Sequence, residues 1–264
     1  MNLLHDALRA GRAVPKRPVN VARRVLVAGG AGVLGAAVLE QLLASRGFAQ
    51  VGVVVTQPLN AALRGLVTVP WAALDASAEA GCEDTAVIVF DRERHANGRE
   101  QAFLRPQPHD LPGLARALRS RGVRDLVVVL PHAPATLPEA LKQGLANLDE
   151  QAVASLGFEH VVFVRPAQPA LGANSGYTLQ RVADWVLSQL QLMVPQRDKP
   201  VRAGKVAQFT TQLAVQLPGA PAGTRVVPPE LVWQAAQSGD LARLVHDWLH
   251  GRNVPEPRVQ TMRL

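Results

Sequence analysis

The chain has 264 residues, 48% of them hydrophobic, enough for one large α/β domain or two small ones. Its net charge of +7 is spread along the chain and aromatics make up 4%, so the stacking platforms of a nucleic-acid binder are scarce. Cys82 is the single cysteine, which excludes a disulfide framework or a cysteine zinc site within the chain and suits a reducing compartment.

Residues 1–22 read as an N-terminal extension. Asn2–Arg9 forms a short amphipathic pattern stopped by Gly11, and Pro15 and Pro18 make an extended lead into the first strand. Arg9, Arg12, Lys16, Arg17, Arg23 and Arg24 are the densest positive stretch and read as a solvated arm. No secretory h-region is present, and the longest uncharged run, Val25 to Leu39, is too short and glycine-rich to span a bilayer. The expected location is the cytoplasm, with no membrane partner.

The run Arg24–Ala28 stops at Gly29 and Gly30 and passes through Gly32 and Gly35 into the helical pattern Ala36–Leu43. Strand, tight turn and helix in that order open a dinucleotide-binding βαβ unit. Gly29 suits the turn, Gly32 lets a backbone approach a pyrophosphate, and Gly35 lets the helix pack on the sheet. The free N–H groups at the helix start favour phosphate charge. The spacing is Gly-x-x-Gly-x-x-Gly rather than the commoner Gly-x-Gly-x-x-Gly.

The second strand, Gln50–Val55, ends at Thr56-Gln57-Pro58 with no acid to hold a ribose 2′-hydroxyl, and Arg64 is the one nearby arginine. The residues leave NADP and a weakened cofactor site both open. Further strands are expected around Leu66–Val69, at Thr85–Phe90 ending in Asp91, at Asp125–Leu130 ending in Pro131-His132, and at His160–Val164 ending in Arg165-Pro166. Helices are expected over Leu111–Ser120 and Leu137–Leu156. Alternation of apolar strands with helices predicts a doubly wound, mostly parallel Rossmann-like sheet over residues 23–252, with its ligand edge at the strand C-termini. Beyond Pro166 the pattern loosens. Helices at Gly176–Met193 and Lys205–Leu217, a strand at Thr224–Val227 and a helical end at Pro229–Gly251 make 166–252 the substrate-side part, and 253–264 reads as a tail.

In its Val27–Gly35 turn, Leu74-Asp75, the His95–Phe103 segment and Val164-Arg165-Pro166, the chain resembles the short-chain dehydrogenase/reductase superfamily. Within it, the chain is similar to the atypical branch of the Tat-interacting-protein-type oxidoreductases and nucleoside-diphosphate-sugar epimerase relatives. The resemblance implies one NAD(P)-binding domain, with Gly29, Gly32, Val33, Leu34 and Gly35 at the pyrophosphate. It implies Thr56 beyond the second strand near the ribose, Asp75 beside the adenine, Phe90 lining the ribose and the loop after Pro166 near the nicotinamide. It also implies NADP over NAD and a small-molecule substrate whose identity stays open.

Catalysis in that superfamily uses a Ser or Thr after strand five and a Tyr whose pKa is lowered by a Lys four residues on. Here Tyr177 is the sole tyrosine, falls after strand six, and has Arg181 at +4; Lys142 has Pro138 four before it; the hydroxyl position holds Pro131-His132. The usual acid–base pair is missing, and His132 is the candidate replacement. Asp91, beside the expected cofactor, would repel phosphate, bind a ribose hydroxyl or pair with Arg92 or Arg94. His246 and His250 stand at i, i+4 but lack a third ligand, so no metal site is expected. Two functions remain: an atypical reductase or epimerase, and a non-catalytic dinucleotide-binding regulatory or interaction protein.

Overall fold

The computed structural model describes residues 23–59, 65–75, 83–91, 100–130, 148–166 and 201–252. Seven strands form one sheet: β1 (Arg24–Ala28), β2 (Gln50–Val55), β3 (Leu66–Pro70), β4 (Thr85–Val89), β5 (Asp125–Val129), β6 (His160–Val164) and β7 (Gly223–Val227). The order is β3-β2-β1-β4-β5-β6-β7 and every pair is parallel. The order reverses between β1 and β4, where Ala28 pairs with Ile88, so both strands deliver their C-terminal loops to one crevice.

The strands are apolar on both faces because helices cover both. On one face α1 (Gly32–Ala44) packs Val38 and Leu42 against Phe209 and Leu213 of α5 (Ala203–Gln216). The same face carries α6 (Pro229–Gln237) and α7 (Leu241–Leu249). The opposite face carries α2 (Ala72–Asp75), α3 (Leu111–Ser120) and α4 (Leu148–Ala154), with Leu111, Leu114 and Leu118 of α3 against Leu26, Ile88 and Val128. In α3 the apolar residues recur at i, i+3, i+4 and i+7, which puts them on one stripe.

The final helical stretch is two helices rather than one. Ser238, Gly239 and Asp240 interrupt it, and the Asp240 carboxylate accepts the Arg243 N–H at 3.0 Å as the cap of α7. The expected helices at 137–147 and 176–193 lie outside the described residues, as do the 1–22 extension and the 253–264 tail. No helix among the described residues is long and apolar enough to cross a membrane.

Candidate functional site

The glycine turn leaves β1 at the switch point. Gly29 has φ +95° and Gly32 φ +79°, left-handed backbone that a side chain with a Cβ adopts only under strain. Space is equally restrictive. A Cβ on Gly29 would run into the Val89 carbonyl oxygen, and one on Gly35 would meet the Gly29 carbonyl oxygen. Gly35 thus lets α1 sit directly against the Gly29 carbonyl of the turn.

The first turn of α1 has no cap of its own. Ala31 at the cap position offers no side-chain acceptor, and no acidic residue lies in the first turn. The acceptor comes instead from the end of β4. Asp91 Oδ2 accepts the N–H of Leu34 at 2.6 Å and approaches the N–H of Gly35 at 3.4 Å. The same oxygen lies 2.5 Å from where a Cβ on Gly32 would stand. The open face of the second glycine is therefore filled by a carboxylate. The roles the sequence allows Asp91, repulsion of a phosphate, ribose binding or pairing with Arg92 or Arg94, do not include this contact with the helix start.

A second segment crosses the same edge. The turn Glu100–Ala102 leads into Phe103, which bridges antiparallel to Val55 at the end of β2. The Leu104 N–H donates to the Val54 carbonyl at 3.0 Å, and Pro106 Cδ comes within 3.3 Å of a Cβ built on Gly29. Thr56, predicted to face a ribose, donates its N–H to the Ala102 carbonyl at 2.8 Å and its hydroxyl to the same oxygen at 3.3 Å.

Of the other predicted residues, Val33 is 50% exposed beside the turn, whereas Leu34 is buried under it. Phe90 is 2% exposed and packs in the core on the α3 face, while its N–H continues the ladder to the Val129 carbonyl at 3.0 Å. Asp75 closes the short helix α2 after β3. Pro166 is buried at the end of β6, next to Arg165. His132, Arg64, Lys142 and Tyr177 lie outside the described residues. The structure therefore gathers Gly29, Gly32, Val33, Leu34 and Gly35 at one crevice and adds Asp91 and the 102–106 segment to it.

A nicotinamide dinucleotide fits this crevice in part. The backbone has the left-handed glycines and close approach that a pyrophosphate requires. Two of the N–H groups at the helix start, those of Leu34 and Gly35, are engaged by Asp91.

The opposite edge of the sheet holds a polar chain that sequence reasoning missed. Arg23 donates to the carbonyls of Val215 (2.8 Å) and Ala214 (3.0 Å) at the end of α5 and to the Thr85 hydroxyl (3.0 Å). Its guanidinium also lies 4.9 Å from the centre of the Phe48 ring. The Thr85 hydroxyl lies 3.5 Å from Asp125, whose other oxygen meets His160 Nδ1 at 2.7 Å; His160 Nε2 meets the Ala220 carbonyl at 3.0 Å. Burial alone lowers the His160 pKa, but its bonds to Asp125 and Ala220 and the charges of Asp125 and Glu159 outweigh it, leaving the pKa raised. Asp125, Glu159 and His160 bring their possible ligand atoms within 4.8 Å of one another. Both ring nitrogens of His160 are thus engaged within the protein, one by Asp125 and the other by the Ala220 carbonyl. At the end of α7, His246 and the following His250 stack with ring centres 4.2 Å apart, and His250 Nδ1 bonds the His246 carbonyl at 2.8 Å.

No family model matches the chain, and no curated protein matches it in sequence. Among solved structures, a Bacillus halodurans protein assigned to the NAD-dependent epimerase/dehydratases is 14% identical, over 85% of this chain and 99% of its own, with a TM-score of 0.48. The enzyme WbmG of Bordetella bronchiseptica, solved with NAD, is 14% identical over 85% of this chain and 81% of its own, with a TM-score of 0.43. The triphenylmethane reductase of a Citrobacter species, solved with NADP(H), is 17% identical over 72% and 65%, with a TM-score of 0.44. At these values the fold rests on the chain's own strand order. That order, with the glycine turn at its switch point, is a doubly wound, all-parallel Rossmann-like sheet.

Proposed function

We propose that the chain is a nicotinamide-dinucleotide-binding protein of this fold that lacks the Tyr–Lys proton-transfer pair. The observation that carries the reading is the turn itself: two left-handed glycines and a third pressed on the turn carbonyl, at the start of a helix whose N–H groups hold an anionic oxygen. NADP is preferred over NAD, as the resemblance implies and as the lack of an acid after β2 favours. The binding domain spans residues 23–252, and the site of action is the cytoplasm.

The absent phenol favours a binding or regulatory role over an oxidoreductase. A phenol titrates near pH 10, and without an ammonium beside it even a misplaced Tyr177 is a poor base at neutral pH. Titration of purified protein with NADPH and NADH, followed by calorimetry and by thermal melting, is expected to show saturable binding, stronger for NADPH, with no NADPH consumption across a carbonyl panel. Turnover lost in His132→Ala would establish the oxidoreductase alternative. No melting shift with either dinucleotide up to millimolar concentration would remove both.

A further inference from the structure

We propose that Asp91 is a built-in competitor for the anionic group of the ligand, so that the cradle is closed by the chain's own carboxylate until that side chain moves. The proposal rests on the dinucleotide reading for the identity of the ligand, though the competition itself concerns any phosphate at the turn.

Three observations converge on one oxygen. Oδ2 of Asp91 takes the Leu34 N–H at 2.6 Å and lies 3.4 Å from the Gly35 nitrogen, two of the donors at the start of α1. It also sits against the face of Gly32 that lacks a side chain, 2.5 Å from the position of a Cβ. Both properties that make a glycine turn receptive to phosphate, exposed N–H groups and close backbone approach, are thus used on the same atom. The placement is set by the sheet. β4 runs parallel beside β1 with Ala28 opposite Ile88, so the residues after Val89 emerge against the turn. The helix offers no local alternative, because neither Ala31 nor its first turn supplies an acceptor.

A carboxylate accepting two backbone N–H groups at a helix start imitates a phosphate in charge and geometry. Two anions on the same donors repel, so ligand entry and the Asp91 contact exclude each other. The protein then has two states at this crevice, one with Asp91 in and one with Asp91 out, and only the second binds. A purely structural cap makes the opposite prediction: its removal weakens the fold and gains no ligand.

The test compares wild type with Asp91→Ala and Asp91→Asn, using inorganic pyrophosphate and NADP+ as probes in calorimetric titrations and melting curves. Asp91→Asn keeps an oxygen acceptor for the helix and removes the charge, so it serves if Asp91→Ala fails to fold. The expected result is pyrophosphate binding tightened by at least about tenfold in the folded variants, with a larger ligand-induced rise in Tm than in wild type. Wild type binding pyrophosphate as tightly as the variants, or folded variants binding none, overturns the proposal. Variants that gain pyrophosphate but not NADP+ leave the Asp91 role standing and remove the dinucleotide reading. NADP+ bound equally by all three proteins does the reverse.

Discussion

Gly32 and Asp91 compete for one small volume, and this couples two residues far apart in sequence. Gly32→Ala places a Cβ at φ +79° and 2.5 Å from the carboxylate, so it meets both backbone strain and a clash. The strain alone is about 1–2 kcal/mol. A double-mutant cycle separates the two: in urea unfolding, Gly32→Ala with Asp91→Ala should lose less than the sum of the single losses, because the clash disappears with its partner. Additivity would show that the carboxylate does not sit over the glycine. The like-charge conflict inferred for a bound phosphate is of ample size, since two unit charges 4 Å apart interact by about 4 kcal/mol near a protein surface. His160 is a second residue with a readable consequence. Its folded pKa is raised above the ordinary 6.5, so the stability it contributes is fully present below that value and is lost as pH rises through the folded pKa. The urea midpoint of wild type should therefore fall relative to that of His160→Gln as pH is raised from 6.5 upward. Parallel pH profiles for the two proteins would refute the assignment.

At the level of elements, side chains fasten helices to the sheet at both of its edges. Arg165 Nη2 donates to Glu150 Oε2 at 2.5 Å, with both side chains 5% exposed or less, and this pair ties α4 to the end of β6. Arg165→Met removes a partner from the buried Glu150 carboxylate and should lower stability, whereas adding Glu150→Met should recover part of the loss. Arg23 does comparable work for α5, bringing positive charge to the carbonyl end of that helix. Its membership in a basic run suggests a solvated arm, and the sequence carries no sign that Val215 lies beside it. Strands are legible because four of them are unbroken apolar runs that close within a residue or two of their observed ends. The division between α6 and α7 is written in Ser238-Gly239-Asp240, a stop followed by a cap, but the stretch reads as one helix because the apolar spacing resumes after it. The Asp91 contact is not legible. A carboxylate after β4 has several possible partners, and only the β1–β4 register decides among them.

Across the whole molecule the two edges of the sheet differ in chemistry. The edge where strands begin is closed by the Arg23, Thr85, Asp125 and His160 chain, whose polar groups are bonded to one another. The edge where strands end carries the left-handed glycines, the exposed Val33 and a helix start bonded to a side chain from a different loop. Substitutions should divide accordingly. Thr85→Val or Asp125→Asn is expected to lower Tm without altering the ratio of NADPH to NADH affinity, while Val33→Asp, which adds a negative charge beside the turn, should weaken dinucleotide binding and leave Tm nearly unchanged. Equal effects of both groups on binding would argue against a site confined to one edge. The left-handed turn at Gly29 and Gly32 is legible from the glycines alone, since their backbone demand is local. The sequence does not reveal the segment Ala102–Pro106 lying across the end of β2, whose place depends on long-range pairing with Val54 and Val55.

The Asp91 contact also sets a scale for response. A competitor attached to the chain is never diluted, so ligand faces it at a constant local concentration whatever the protein concentration. Apparent affinity is the intrinsic affinity multiplied by the fraction of molecules in which the carboxylate has left; a fraction of about 1% weakens it about a hundredfold. On that proposal the crevice stays empty at trace levels of dinucleotide and fills when the pool is abundant.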